Sequence, residues 1–236
     1  MNPTHPVPDP SEIPAPQPTT PLTPRDTVRQ LVYGLGLAAK DHIAMSERLL
    51  SDPPQADFDQ RVTLPPGKTR EEHLGALRKF IRQLRALDME ADERFREMSQ
   101  APFPRREEHR SCLADIEGRI QRFLPRFRFN WNVLMETAAA ADYILDSMKE
   151  CLAEPGSRPA PGGPLRGLES KPALRLERLE DLMRMPVAEL ETRMQRIRAL
   201  LQQSQEAAPP IASGDTYPSV TDGLPANANR GLAAGV

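Results

Sequence analysis

Apolar residues recur along this chain at alternating spacings of three and four, in long tracts separated by proline-rich breaks. Such spacing keeps them on one face of an α-helix, so the pattern predicts an all-α protein. The first tract carries Val28, Leu31, Leu35, Ala38, His42, Met45 and Leu49. Thr23 is placed to cap it, Pro24 and Arg25 open its first turn, and Asp26 lies near the positive helix end. Asp52-Pro53-Pro54 stops it. One helix of about 25 residues is expected.

The second tract follows Thr69, a capping residue with Glu71 and Glu72 close behind. Its seam is Leu74, Leu77, Ile81, Leu84, Asp88, Ala91, Phe95 and Met98, broken only by Asp88. The third tract holds Leu113, Ile116, Ile120, Phe123, Phe127, Asn130, Leu134, Thr137, Ala141, Ile144, Met148 and Cys151. Pro125 falls inside this register, opposite the seam, where it predicts a bend rather than a stop. The short Pro102–Pro104 connection makes the second and third helices antiparallel neighbours. Residues 25–153 therefore read as an antiparallel three-helix bundle of coiled-coil type with a long, kinked third helix. Phe58, Val62 and Leu64, in the loop 52–68, are expected to fold back over one bundle end.

Beyond a Pro/Gly linker at 154–171, residues 172–205 resume the helical pattern. Leu176, Leu179 and Met183 form one short piece; after Pro186, Val187, Leu190, Met194, Ile197 and Leu201 form another. Two helices of this size cannot bury a core alone. They must pack on the bundle, on a second copy or on a partner. Residues 1–24, with nine prolines, and 206–236 lack periodicity and read as a disordered arm and a disordered tail.

Composition narrows the function. Apolar residues make up 39 % and aromatics 5 %, low for a compact enzyme, and the net charge of −2 gives no global field toward nucleic acid or membrane. No apolar run approaches the ~20 residues of a membrane span. Residues 1–24 lack the basic and apolar regions of a signal peptide, so a cytoplasmic location is expected. Cys112 and Cys151 lie 39 positions apart on one expected helix. That separation is roughly 58 Å, beyond disulfide reach.

Catalytic patterns are weak. Gly34 and Gly36 form a G-x-G inside a helical tract, with no strand before it, and read as sites of close helix approach. Glu71-Glu72-His73 and Glu107-Glu108-His109 both fall at helix N-termini, where acidic residues match the dipole. In an antiparallel pair those ends are far apart, so no shared metal is expected. No cofactor is expected either, and the chain reads as a non-enzyme. His42 and Asp88 are the polar seam positions of the first two helices. A direct pair would need a stagger of roughly 15 Å, so Asp88 is expected to reach solvent.

The strongest non-core signal runs from Arg119 to Trp131, a stretch with no acidic residue between Glu117 and Glu136. Arg119, Arg122 and Arg126 would line one helix flank, with Phe129 projecting off the seam and Trp131 at its edge. Arginine and tryptophan commonly anchor protein interfaces. These five, with Leu190, Met194 and Ile197, are the candidate partner-binding residues. The same stripe also fits phosphates, with an aromatic stacking on a base.

The expected three helices with a long third one, and Asn130 and Asn132 leading into Val133-Leu134-Met135, resemble helical flagellar export chaperones of the FlgN type. The resemblance covers at most residues 25–153. It implies a small chaperone that binds an amphipathic client segment and holds it for secretion. The expected function is a non-catalytic adaptor or chaperone, binding a helical segment of a protein partner or a second copy of itself. The alternative is a nucleic-acid-associated regulator using residues 119–131.

Overall fold

The computed structural model describes residues 22–102, 104–154 and 171–206. All but the edges of the proline-rich arm, of the 154–171 linker and of the expected disordered tail 206–236 fall outside the described residues. The chain builds α1 (Pro24–Tyr33), α2 (Gly36–Leu50), a single turn α3 (Phe58–Arg61), α4 (Arg70–Gln100) and α5 (Arg105–Phe123). A 3-10 turn (Leu124–Phe127), α6 (Trp131–Ala153), α7 (Lys171–Met183) and α8 (Val187–Glu206) follow. The fold is all-α. Among the described residues, strand-like pairing is confined to one bridge between Val62 and Phe129.

Helix starts follow local chemistry. Thr23 Oγ1 accepts the Asp26 N–H at 3.1 Å. Thr69 and Glu72 form a reciprocal capping box, each side chain accepting the other's backbone N–H at 3.2 Å. The α4 seam is buried at Leu77, Ile81, Leu84, Asp88, Ala91 and Phe95.

Ion pairs report the helix directions. Glu90 pairs with Arg119, and Glu97 lies 3.4 Å from His109 Nδ1, so α4 and α5 are antiparallel neighbours. Lys40 pairs with Asp88 and Asp92 while Glu47 pairs with Arg85, so α2 is antiparallel to α4. Lys149 with Glu191, and Asp142 with Arg198, make α6 and α8 antiparallel.

Two expected helices are each divided. The first breaks at Leu35, whose backbone is extended (φ −79°, ψ 135°), giving α1 and α2. The third is not one bent helix. After α5 the chain tightens into the 3-10 turn, Arg128 turns left-handed at φ 57°, and Asn130 caps a fresh helix by accepting the Val133 N–H. Pro125 has no N–H to continue the helical ladder. The segment 61–63 supplies backbone bonds instead: Thr63 N–H donates to the Arg128 carbonyl at 2.8 Å, and Asn130 N–H to that of Arg61 at 2.9 Å. Phe58 and Val62 are buried beside this crossing, as the fold-back expectation requires.

The C-terminal pair packs on the bundle. Met183, Met185, Leu190, Met194 and Ile197 join the same core as Val28, Val32, Leu145 and Met148. The principal neighbours of α8 are α1 and α6, and that of α7 is α6.

Candidate functional site

The turn between α7 and α8 carries a buried arginine. Backbone N–H groups of Arg184 and Met185 return to the carbonyls of Asp181 and Glu180, both at 3.3 Å. This is the Schellman helix ending, and Arg184 (φ 54°) occupies its left-handed position, which usually takes glycine. Pro186 then prevents continuation of α7. The turn aims the Arg184 side chain, 2 % exposed, between α2, α4 and α5.

There the guanidinium is closely held. Nη1 donates to the Asp88 carboxylate at 2.7 Å, to Asp92 at 3.0 Å and to the Asp88 carbonyl at 3.3 Å. Nη2 donates to the Gly36 carbonyl at 3.2 Å. Nε lies 3.8 Å from the Glu117 carboxylate and makes no hydrogen bond. Lys40 Nζ bridges the same Asp88 and Asp92 carboxylates, at 2.9 Å to each. Burial raises the Glu117 carboxyl above its usual range, against the lowering pull of Arg184 and Arg193. Asp88 therefore does not reach solvent as expected. It is buried because two cations satisfy it, which makes its place in an apolar seam tolerable. It also makes no pair with His42.

Beside this cluster lies a cleft of about 450 Å³, between the α4–α5 tip and the α7–α8 turn. Phe95, Met98 and Leu113 give it apolar walls, and Arg110, Glu117 and Glu180 charged ones. Burial raises the Glu180 carboxyl too. A second cleft, about 530 Å³, runs between α1, α5 and α8 past Leu31, Gln121, Arg193 and Arg196.

The arginine–aromatic stretch is arranged differently from a single helical flank. Arg119 and Arg122 are exposed on α5, Arg119 beside Glu90 at 3.5 Å. Arg126 stands on the 3-10 turn with its guanidinium 4.9 Å from the Phe123 ring. Phe129 does not project outward. Its pairing with Val62 turns it inward, 5.0 Å from the His42 ring and 5.8 Å from Phe127. Trp131 is half-buried beneath the Arg25 guanidinium at 4.6 Å. Leu190, Met194 and Ile197 are at most 2 % exposed, so the chain itself covers the α8 stripe that was expected to meet a partner.

His42 and His73 serve packing. His42 Nδ1 donates to the Ala38 carbonyl at 2.7 Å, while its buried Nε2 has no hydrogen-bond partner. Burial pushes its pKa down to about 4. His73 Nε2 donates to the Phe127 carbonyl at 3.1 Å, and burial lowers its pKa as well. Among the described residues, no group of three or more His, Cys, Asp or Glu is placed to hold a metal ion. No described helix is long and apolar enough to cross a membrane.

Sequence reasoning missed Arg184, Lys40 and Asp92. A signal was present: a lone aspartate in an apolar seam calls for a cation, and Arg184 sits between two methionines at a helix end. In comparison with known proteins, no family model, no curated protein and no solved structure matches this chain.

Proposed function

We propose that the chain is a non-catalytic helical interaction protein, of adaptor or chaperone type, which holds an amphipathic helix of a protein partner in the cytoplasm. The observation that carries this reading is the seat of α8. The groove between α1 and α6 takes an amphipathic helix along its length, burying Leu190, Met194 and Ile197. Helix-in-groove recognition uses the same anchor spacing. The resemblance to export chaperones of the FlgN type favours a secreted client. The test is affinity capture with the full chain from its native cell, then reconstitution with the purified candidate. A stable complex protecting a helical partner segment is expected. No complex with any purified candidate, or catalytic turnover, would defeat the reading.

A second reading, a nucleic-acid-associated regulator, is favoured by one observation. Arg122, Arg126 and Arg128 are all exposed around the 3-10 turn. With Phe129 buried and the half-buried Trp131 ring taken by Arg25, this surface offers phosphate contacts rather than base stacking. It predicts salt-sensitive gel retardation that weakens in the double variant Arg122→Ala, Arg126→Ala. Absence of retardation at low salt removes it.

A further inference from the structure

We propose that Asp88, Asp92 and Glu117 form an arginine-reading socket, that the α7–α8 hairpin fills it as an internal occupant, and that the displacing partner segment carries an arginine at the end of an amphipathic helix. This rests on the interaction-protein reading and gives its partner a chemistry.

The socket fits a guanidinium better than a generic cation. It presents two carboxylates and two backbone carbonyls to the two terminal nitrogens of Arg184, with a third carboxylate facing Nε. A planar fork of donors satisfies such a set, whereas a single ammonium does not. Lys40 shows the contrast, reaching only the two aspartates. Lys40 also keeps the socket viable when empty. With Arg184 withdrawn, both aspartates retain a cation and the site keeps an excess of negative charge, which attracts the next guanidinium.

The hairpin is built around that one side chain. Arg184 holds a left-handed backbone where glycine costs least, so the local turn gains nothing from an arginine. What the arginine supplies is the contact with the bundle. Its neighbours point the same way. Three of the five side chains the hairpin buries most deeply are Met183, Met185 and Met194. Thioether chains adapt to differently shaped partners, so a groove that fits them tolerates another helix. Leu176, Leu179 and Leu182 of α7 remain only half-buried, and elements with few fully buried contacts open below the global unfolding free energy.

The test uses the full chain with Arg184→Gln, whose own hairpin is loosened, and fluorescent peptides spanning residues 171–206. The native peptide is expected to bind on the order of 30-fold more tightly than a peptide carrying Arg184→Gln. Asp92→Asn in the full chain should reduce that ratio severalfold. Equal binding of the two peptides, or binding of neither, overturns the socket. Hydrogen exchange on the native chain gives an independent measurement. Amides of α7 and α8 should exchange at least about tenfold faster than the α4 core; exchange of both only in a single global step overturns the internal occupant. Arginine-dependent peptide binding, in a chain for which no partner is found, supports the socket while the adaptor reading fails. A verified partner that binds equally well to Asp92→Asn keeps the adaptor reading and overturns the socket.

Discussion

Gly36 and Met183 meet backbone to backbone: a Cβ placed on Gly36 would lie 2.5 Å from the Met183 carbonyl oxygen and 2.6 Å from its carbon. Gly34 is near Arg193 instead, where a Cβ would meet two side-chain tips, the Arg193 guanidinium at 2.7 Å and the Gln121 amide at 3.1 Å, with backbone no nearer than the Leu31 carbonyl at 3.4 Å. A side-chain tip can swing aside, and a helix backbone cannot. Alanine at Gly36, the first residue of α2, gains at most about 1 kcal/mol of helix preference. At Gly36 the clash should exceed that gain, so Gly36→Ala is expected to destabilise by roughly 1–3 kcal/mol. Gly34→Ala should cost under about 1 kcal/mol. Urea midpoints of the two variants check this, and equal midpoints would count against the close approach.

His42 makes folding sensitive to mild acid. In the unfolded chain its pKa is near 6.5, and in the fold, where Tyr33, Phe127 and Phe129 surround it, about 4. The unfolded state therefore binds a proton that the folded state refuses. Stability is fully present above about pH 6.5 and falls as pH drops toward 4, by about 3 kcal/mol in all. His73, also lowered by burial, acts in the same direction. Asp41, Glu117 and Glu180, raised by burial, act in the opposite one, so the informative quantity is a difference. The stability of the native chain minus that of His42→Leu should fall as pH drops from 7 to 4.5. Parallel curves would show that His42 does not titrate as its burial requires.

The elements that could be read from the sequence are those decided within a few residues. The Thr23 and Thr69 caps, the α4 seam and the antiparallel α4–α5 hairpin depend on local spacing and side-chain oxygens. The third tract predicts one helix where the structure has two, because periodicity counts residues and not dihedral angles. Phe127 and Leu134 are both buried, as one continuous stripe predicts, yet a 3-10 turn, a left-handed arginine and an extended Phe129 intervene. That crossing is fixed by backbone bonds from residues 61–63, more than sixty positions away. Arg184 and Asp88 are ninety-six positions apart, and the seam pattern alone shows only that Asp88 lacks a partner.

Trp131 is the chain's one tryptophan, so its fluorescence reports a single place. Arg25, in the first turn of α1, lies over its ring and ties the start of that helix to the start of α6. An exposed cation–π contact contributes about 0.5–1 kcal/mol. Arg25→Gln should lower stability by that amount and increase quenching of Trp131 by acrylamide. Arg29→Gln, which removes a surface pair with Asp26 from the same helix, should leave the quenching unchanged. Identical quenching in all three proteins would place Arg25 away from the ring.

Arg128 and Arg184 share nearly the same left-handed backbone, φ 57° and 54°, and should respond oppositely to glycine. A non-glycine residue in that region costs about 1–2 kcal/mol, partly offset by the extra freedom glycine gives the unfolded chain. The Arg128 side chain is exposed, and its bond to Thr63 uses the backbone carbonyl, which glycine keeps. Arg128→Gly is therefore expected to stabilise by roughly 0.5–1 kcal/mol. Arg184→Gly relieves the same strain but removes the guanidinium from Asp88 and Asp92. Loss of one partner from a buried pair costs about 3–5 kcal/mol, and the bridging Lys40 brings the expected net loss to the lower end, about 2 kcal/mol after the strain is subtracted. Thermal or urea unfolding of the two variants gives the signs directly. Stabilisation by both would mean that the Arg184 side chain contributes no more to the fold than an exposed arginine does.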